Sequence, residues 1–92
     1  MAVKFRKEAL KFLQKLSSEE SVRVQTQLRQ ILLSIEQKGL IPFSELDIKK
    51  MRGDWEGFYR LRIGKIRIVF LLNIYSGDIE VYTIGFRGDV YK

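Results

Sequence analysis

The chain has 92 residues, 46% of them hydrophobic and 30% charged, which fits one folded domain spanning residues 1–92 rather than a disordered tail. Cysteine and histidine are both absent, which excludes disulfides, thiol or imidazole catalysis, a Ser-His-Asp triad and the usual zinc ligand sets. The net charge of +6 points to a polyanionic partner such as nucleic acid, an anionic membrane or an acidic protein, although in so small a domain a basic surface also serves solubility.

The opening MAVKFRKEALKFL has charges breaking every apolar run, so neither a signal peptide nor a membrane span is expected, and the cytoplasm is the expected location. Val3 and Phe5 alternate with Lys4 and Arg6, the pattern of a short edge strand. Lys7 to Leu16 reads as a helix with an apolar stripe of Ala9, Leu10, Phe12, Leu13 and Leu16. Ser17 and Glu20 have capping-box spacing, so a second helix starts there. It carries Val24, Leu28, Ile31, Leu32 and Ile35 at helical spacing and stops at Gly39, before Pro42.

From about Ile48 the period changes from 3.6 to 2. Gly57–Ile63 and Ile66–Asn73 read as strands joined by Gly64-Lys65, a tight hairpin signal because Gly accepts positive φ. Tyr75-Ser76-Gly77-Asp78 is a second turn, and Ile79 to Phe86 a third strand. The expected architecture is α+β: an N-terminal strand, an antiparallel helical hairpin and a three-strand antiparallel meander, with the helices on one face of an antiparallel sheet. The register of the third strand stays open, because Ile79/Val81 and Tyr82/Ile84/Phe86 compete for the inner face.

A loop at Gly64-Lys65 pairs Ile63 with Ile66, Leu61 with Ile68 and Tyr59 with Phe70 on the inner face. The outer face then carries Phe58, Arg60, Arg62, Arg67, Val69 and Leu71. Arg62 sits across from Arg67, and Arg60 lies roughly 7 Å along the same face. Like charges directly opposite each other weaken a ladder, and neither strand contains Asp or Glu. One reading is that the arginines splay into water or meet carboxylates from elsewhere. The sharper reading is a phosphate site, since guanidinium forks match phosphate oxygens. The apolar fringe of Phe58, Val69 and Leu71 needs a cover, whether RNA or a partner chain.

The stretch Met51–Phe70, containing Tyr59-Arg60-Leu61-Arg62-Ile63-Gly64 and Arg67-Ile68-Val69, together with the ending Ile84-Gly85-Phe86-Arg87-Gly88-Asp89-Val90-Tyr91, resembles the RelE/ParE superfamily of type II toxins, and its RelE branch most. That resemblance implies a ribosome-dependent endoribonuclease that cuts mRNA in the 30S A site without metal or cofactor. It implies catalytic roles for Arg60, Arg62, Arg67, Arg87 and Tyr91. Tyr91 is the candidate base toward the 2′-hydroxyl, and Arg60, Arg62 and Arg67 neutralise the scissile phosphate. Arg87 stabilises the leaving oxygen. Lys4, Lys7, Lys11, Lys49, Lys50 and Arg52 are candidate contacts to the ribosomal RNA backbone. Many relatives have His where this chain has Phe86, and the best-studied have Lys at the positions of Arg60 and Arg62; Arg binds phosphate well but shuttles protons poorly near neutral pH. The implied partner is a small acidic RelB-like antitoxin from an adjacent reading frame, through which alone the complex would touch operator DNA. A ParE-like gyrase inhibitor and a non-catalytic RNA- or protein-binding domain are the alternatives.

Overall fold

Alternation at the N-terminus produces a three-residue strand, β1 (Val3–Phe5), and the helical stripe that follows produces α1 (Lys7–Lys15). The computed structural model describes residues 1–86. The capping box forms as the spacing predicts: Glu20 N donates to Ser17 Oγ at 3.1 Å, and Ser17 N donates to Glu20 Oε1 at 3.2 Å. It starts α2 (Ser18–Lys38), which ends on Gly39 at φ 67°, a left-handed cap that a side chain would strain. Along α1 the buried residues are Ala9 and Leu13, whereas Leu10, expected in the stripe, is 41% exposed.

Three further strands follow the pattern change: β3 (Tyr59–Ile63), β4 (Ile66–Leu72) and β5 (Ile79–Phe86). The hairpin register is the expected one, with Ile63 opposite Ile66, Leu61 opposite Ile68 and Tyr59 opposite Phe70. At the turn φ is positive at Gly64, and among the described residues no non-glycine has positive φ, so Lys65 has ordinary φ, the signature of a type II′ turn.

The sheet departs from expectation in two respects. It has five strands in the order β1-β5-β4-β3-β2, where β2 (Ile48–Lys50) was not foreseen and pairs antiparallel with β3. It is also mixed, because β1 runs parallel to β5, with Val3 opposite Ile79 and Phe5 opposite Val81. The two helices between β1 and the meander allow this, since a parallel partner must be reached by a crossover.

The ambiguity of the third strand disappears for a physical reason. Val69 pairs with Thr83 but Phe70 pairs with Val81, so Tyr82 is an extra residue in β5. This bulge shifts the alternation by one. Ile79, Val81 and Ile84 therefore all join the inner core, and Phe86 meets Phe12 of α1 edge-to-face at 5.1 Å. Inward-facing Leu61, Ile63, Ile66, Ile68 and Phe70 complete the core against Val24, Leu28 and Ile31 of α2.

Asp78 fastens β1 to the start of β5. Its carboxylate accepts from Ala2 N at 2.8 Å and pairs with Lys4 Nζ at 3.1 Å. The Lys4 ammonium, with the Ser76 hydroxyl and the Ala2 amide, holds the Asp78 carboxyl below its ordinary value.

Candidate functional site

The outer face of the sheet is built by the residues that alternate with the core. Arg62 stands opposite Arg67, and the next row reads Lys49, Arg60, Val69, Thr83 across β2, β3, β4 and β5. Three of the five expected catalytic residues, Arg60, Arg62 and Arg67, are thus on one face. Arg87 and Tyr91 lie outside the described residues.

The arginines do meet a carboxylate, and it comes from elsewhere in the chain. Asp47, immediately before β2, receives Arg62 Nε on Oδ2 at 2.8 Å and Arg60 Nη2 on Oδ1 at 3.3 Å. The backbone locks the same junction, since Arg62 N donates to Asp47 O at 3.0 Å. The Arg62 hydrogen bond, reinforced by the charges of Arg62, Arg60 and Lys49, draws the Asp47 carboxyl below its ordinary value. Asp47 therefore stays ionised through neutral pH, as an anion held in a two-guanidinium seat.

The two other arginine features are less relieved. Arg60 Nε is buried without a hydrogen-bond acceptor among the described residues. Such an orphaned donor costs about 1–3 kcal/mol. Arg67 is only 8% exposed, and no carboxylate among the described residues pairs with it. It is thus more deeply set than a splayed strand arginine, and its removal would leave space as well as relieve repulsion.

The apolar fringe also differs from expectation. Val69 is fully buried without any partner chain, so it offers no docking surface. Phe58 is clasped between Trp55 at 5.2 Å and Tyr82 at 4.7 Å, both edge-to-face. The guanidinium of Arg6, a residue not singled out from sequence, lies 4.3 Å from the centre of the Tyr82 ring. The pattern Val3-Lys4-Phe5-Arg6 held the signal, since it places Arg6 on the outer side of β1.

The expected backbone-contact lysines separate into groups. Lys49 joins the arginine face through its pairing with Arg60, while Lys50 pairs with Tyr59 on the other parity. Lys4 is engaged with Asp78, and Lys11 lies 3.8 Å from Glu8. Lys7 and Arg52 are exposed on α1 and at the start of the 3-10 turn Gly53–Trp55.

At the level of sequence, no family model and no curated protein matches this chain. Solved structures do match it over nearly its whole length. The archaeal RelE–RelB complex of Pyrococcus horikoshii contains a chain 27% identical, with a TM-score of 0.70 and 97% of each chain covered. The chain belongs to the RelE-like toxin superfamily. Two further RelE-like folds are similar at lower identity. The isolated RelE toxin of E. coli is 22% identical with a TM-score of 0.69, covering 97% of this chain and 88% of that one. A YoeB/ParE toxin from Agrobacterium tumefaciens is 17% identical with a TM-score of 0.72, covering 95% and 99%. In this RelE-like chain the mixed five-strand sheet is what presents Arg60, Arg62 and Arg67 together on the face away from the helices.

Proposed function

We propose that residues 1–92 form a single toxin domain that cleaves mRNA on the ribosome and is held silent by a cognate antitoxin. The observation that carries this reading is the seat formed by Arg60 and Arg62, already holding the anionic Asp47 carboxylate, beside the deeply set Arg67. A phosphodiester has the same need for paired donors as that carboxylate, and a larger charge-transfer demand in the transition state.

In the reaction, the RNA 2′-oxygen forms a bond to phosphorus as its proton passes to the Tyr91 phenolate, the form that neighbouring guanidinium charge favours. Arg60, Arg62 and Arg67 neutralise the pentacovalent phosphorane. The bond from phosphorus to the 5′-oxygen then breaks, with Arg87 stabilising the charge that develops there until that oxygen takes a proton from water. The products are a 2′,3′-cyclic phosphate and a 5′-hydroxyl. With no histidine to move protons, the chain depends on the ribosome to orient the 2′-oxygen in line, an effect worth several kcal/mol. Lys7, Lys49 and Arg52, exposed and with no salt-bridge partner among the described residues, steer the domain toward ribosomal RNA through screened, long-range attraction.

For the antitoxin, the structure of the P. horikoshii relative is a RelE–RelB complex, and that of E. coli is a RelBE toxin–antitoxin complex. On this chain a cavity of about 530 Å³ lies beside edge strand β1, lined by Val3, Phe5, Leu28, Leu32 and Leu33, with Arg29 and Glu36 among them. A segment with an apolar stripe fits this groove, and acidic residues on it complement the chain's net charge of +6. Such a pair works in the cytoplasm, and among the described residues no helix is long and apolar enough to cross a membrane.

The test is cleavage of a defined mRNA on programmed ribosomes by the purified protein. Fragments with 5′-hydroxyl and cyclic-phosphate ends, formed only with ribosomes present, are expected. Intact message in that assay, from a folded protein, contradicts the reading.

A further inference from the structure

The outer face holds more than cations. Trp55, Phe58 and Tyr82 form a row of three rings on the same side as the arginines, with successive centroids 5.2 and 4.7 Å apart. None of the three is buried; each is partly open to solvent. The bulge explains how the row arises. Tyr82 is the β5 residue with no partner on β4, which frees its side chain from the alternation and aims it at Phe58. The Arg6 guanidinium lies over the Tyr82 ring, 4.3 Å from its centroid.

Edge-to-face contacts leave ring surface unused. The interplanar angles are 83° and 80°, so each contact covers one ring face and one ring edge. Aromatic rings shaped only for packing belong inside, as Phe70 is, fully buried and stacked on Tyr59. This row instead lies beside cations. Tyr82 is one residue from Thr83, whose row across the sheet contains Arg60 and Lys49. Phosphate donors and aromatic faces within one or two residue spacings, about 3–7 Å, are what a single-stranded nucleic acid needs: charge for its backbone and flat faces for its bases.

We propose that Trp55, Phe58 and Tyr82, with the Arg6 guanidinium, form a stacking subsite for one or two unpaired RNA bases adjoining the phosphate seat. The proposal rests on the reading of the arginine face as an RNA site and adds the part that senses bases. Phosphate contacts fix position, and stacking selects bases by their π surface, so purines are favoured over pyrimidines here.

The chain contains one tryptophan, Trp55, and its fluorescence reports directly on the subsite. The full-length protein is titrated with a 2′-O-methyl tetranucleotide, which cannot be cleaved, and with the same backbone lacking its bases. The base-bearing strand should quench Trp55 and bind about tenfold or more tightly than the abasic strand. With a labelled strand read by anisotropy, Tyr82→Leu and Trp55→Leu should each lose most of that advantage while binding the abasic strand as the wild type does. Circular dichroism confirms that both variants are folded, and Trp55→Leu, in an exposed turn, guards against loss of fold in Tyr82→Leu. Equal binding of both strands without quenching would overturn the stacking subsite yet leave the phosphate seat standing. Binding of neither strand would overturn both.

Discussion

Replacing Asp47 by Asn removes one negative charge from between Arg60 and Arg62 while keeping shape and the backbone contact to Arg62. In the wild type an incoming phosphate must displace a carboxylate held at 2.8 and 3.3 Å. Both the Asp47 side chain, 43% exposed, and that of Arg62, 37% exposed, are well solvated. Their pairing is therefore worth no more than the ~1 kcal/mol typical of such pairs, and stability in urea should fall by at most about that. Displacing the carboxylate costs RNA a similar amount, so Asp47→Asn should tighten binding of a short single-stranded RNA by about fivefold. It should also leave one or two more cations for phosphate, steepening the plot of log affinity against log salt by roughly 0.7–1.4. Anisotropy of a labelled oligonucleotide between 50 and 200 mM salt, as an approximate working range, reads both effects. Since the Asp47 carboxyl lies below its ordinary value, the difference should persist from neutral pH down to the ordinary carboxylate range and vanish only as the wild-type carboxylate protonates below it. Unchanged or weaker binding with an unchanged salt slope would refute the idea that the carboxylate occupies a phosphate seat.

Arg67→Met, which keeps most of the volume of this 8%-exposed side chain, should leave the fold intact and abolish growth inhibition; full toxicity in a folded variant would remove Arg67 from the site. Leu61→Ala, at a position with no exposed surface, should cost about 2–5 kcal/mol in urea unfolding, against little for a change at the exposed Lys7. Asp78→Ala should release β1, seen as faster amide exchange at Ile79, whose N–H donates to Ala2 O at 2.9 Å. Because the folded Asp78 carboxyl titrates below its unfolded value, its contribution is complete above the unfolded value and is lost as pH falls through the folded one; the wild type should thus lose β1 protection in acid and the variant should not change further. Tyr91→Phe should slow single-turnover cleavage on programmed ribosomes by about a hundredfold if the phenolic oxygen takes the proton, and an unchanged rate would leave it a packing residue.

What could be read from sequence follows from how local the determining physics is. Gly64-Lys65 fixed the hairpin register down to Arg62 facing Arg67, because a two-residue turn and period-2 burial leave one solution. The capping box and Gly39 cap are equally local. β1 was legible as a strand, but its parallel pairing with β5 depends on a contact more than seventy residues away, and three residues carry no sign of direction. β2 was missed because Ile48-Lys49-Lys50 offers one apolar residue and two lysines, an edge pattern without a hydrophobic run. Missing β2 hid Asp47, since only the β2–β3 pairing brings that carboxylate to the arginines. The Tyr82 bulge was likewise invisible, although the phase conflict between Ile79/Val81 and Ile84/Phe86 was its trace.

The proposed ribonuclease differs from a gyrase inhibitor or a passive binder in what it does to message inside the cell. The most direct measurement is induction of the protein from a tightly controlled promoter, followed by mapping of all new 5′ ends in cellular RNA. A ribosome-dependent ribonuclease should leave abundant 5′-hydroxyl ends inside translated codons, absent when translation initiation is blocked and absent with Arg67→Met. Growth arrest with intact mRNA and gyrase-linked DNA breaks would contradict that activity.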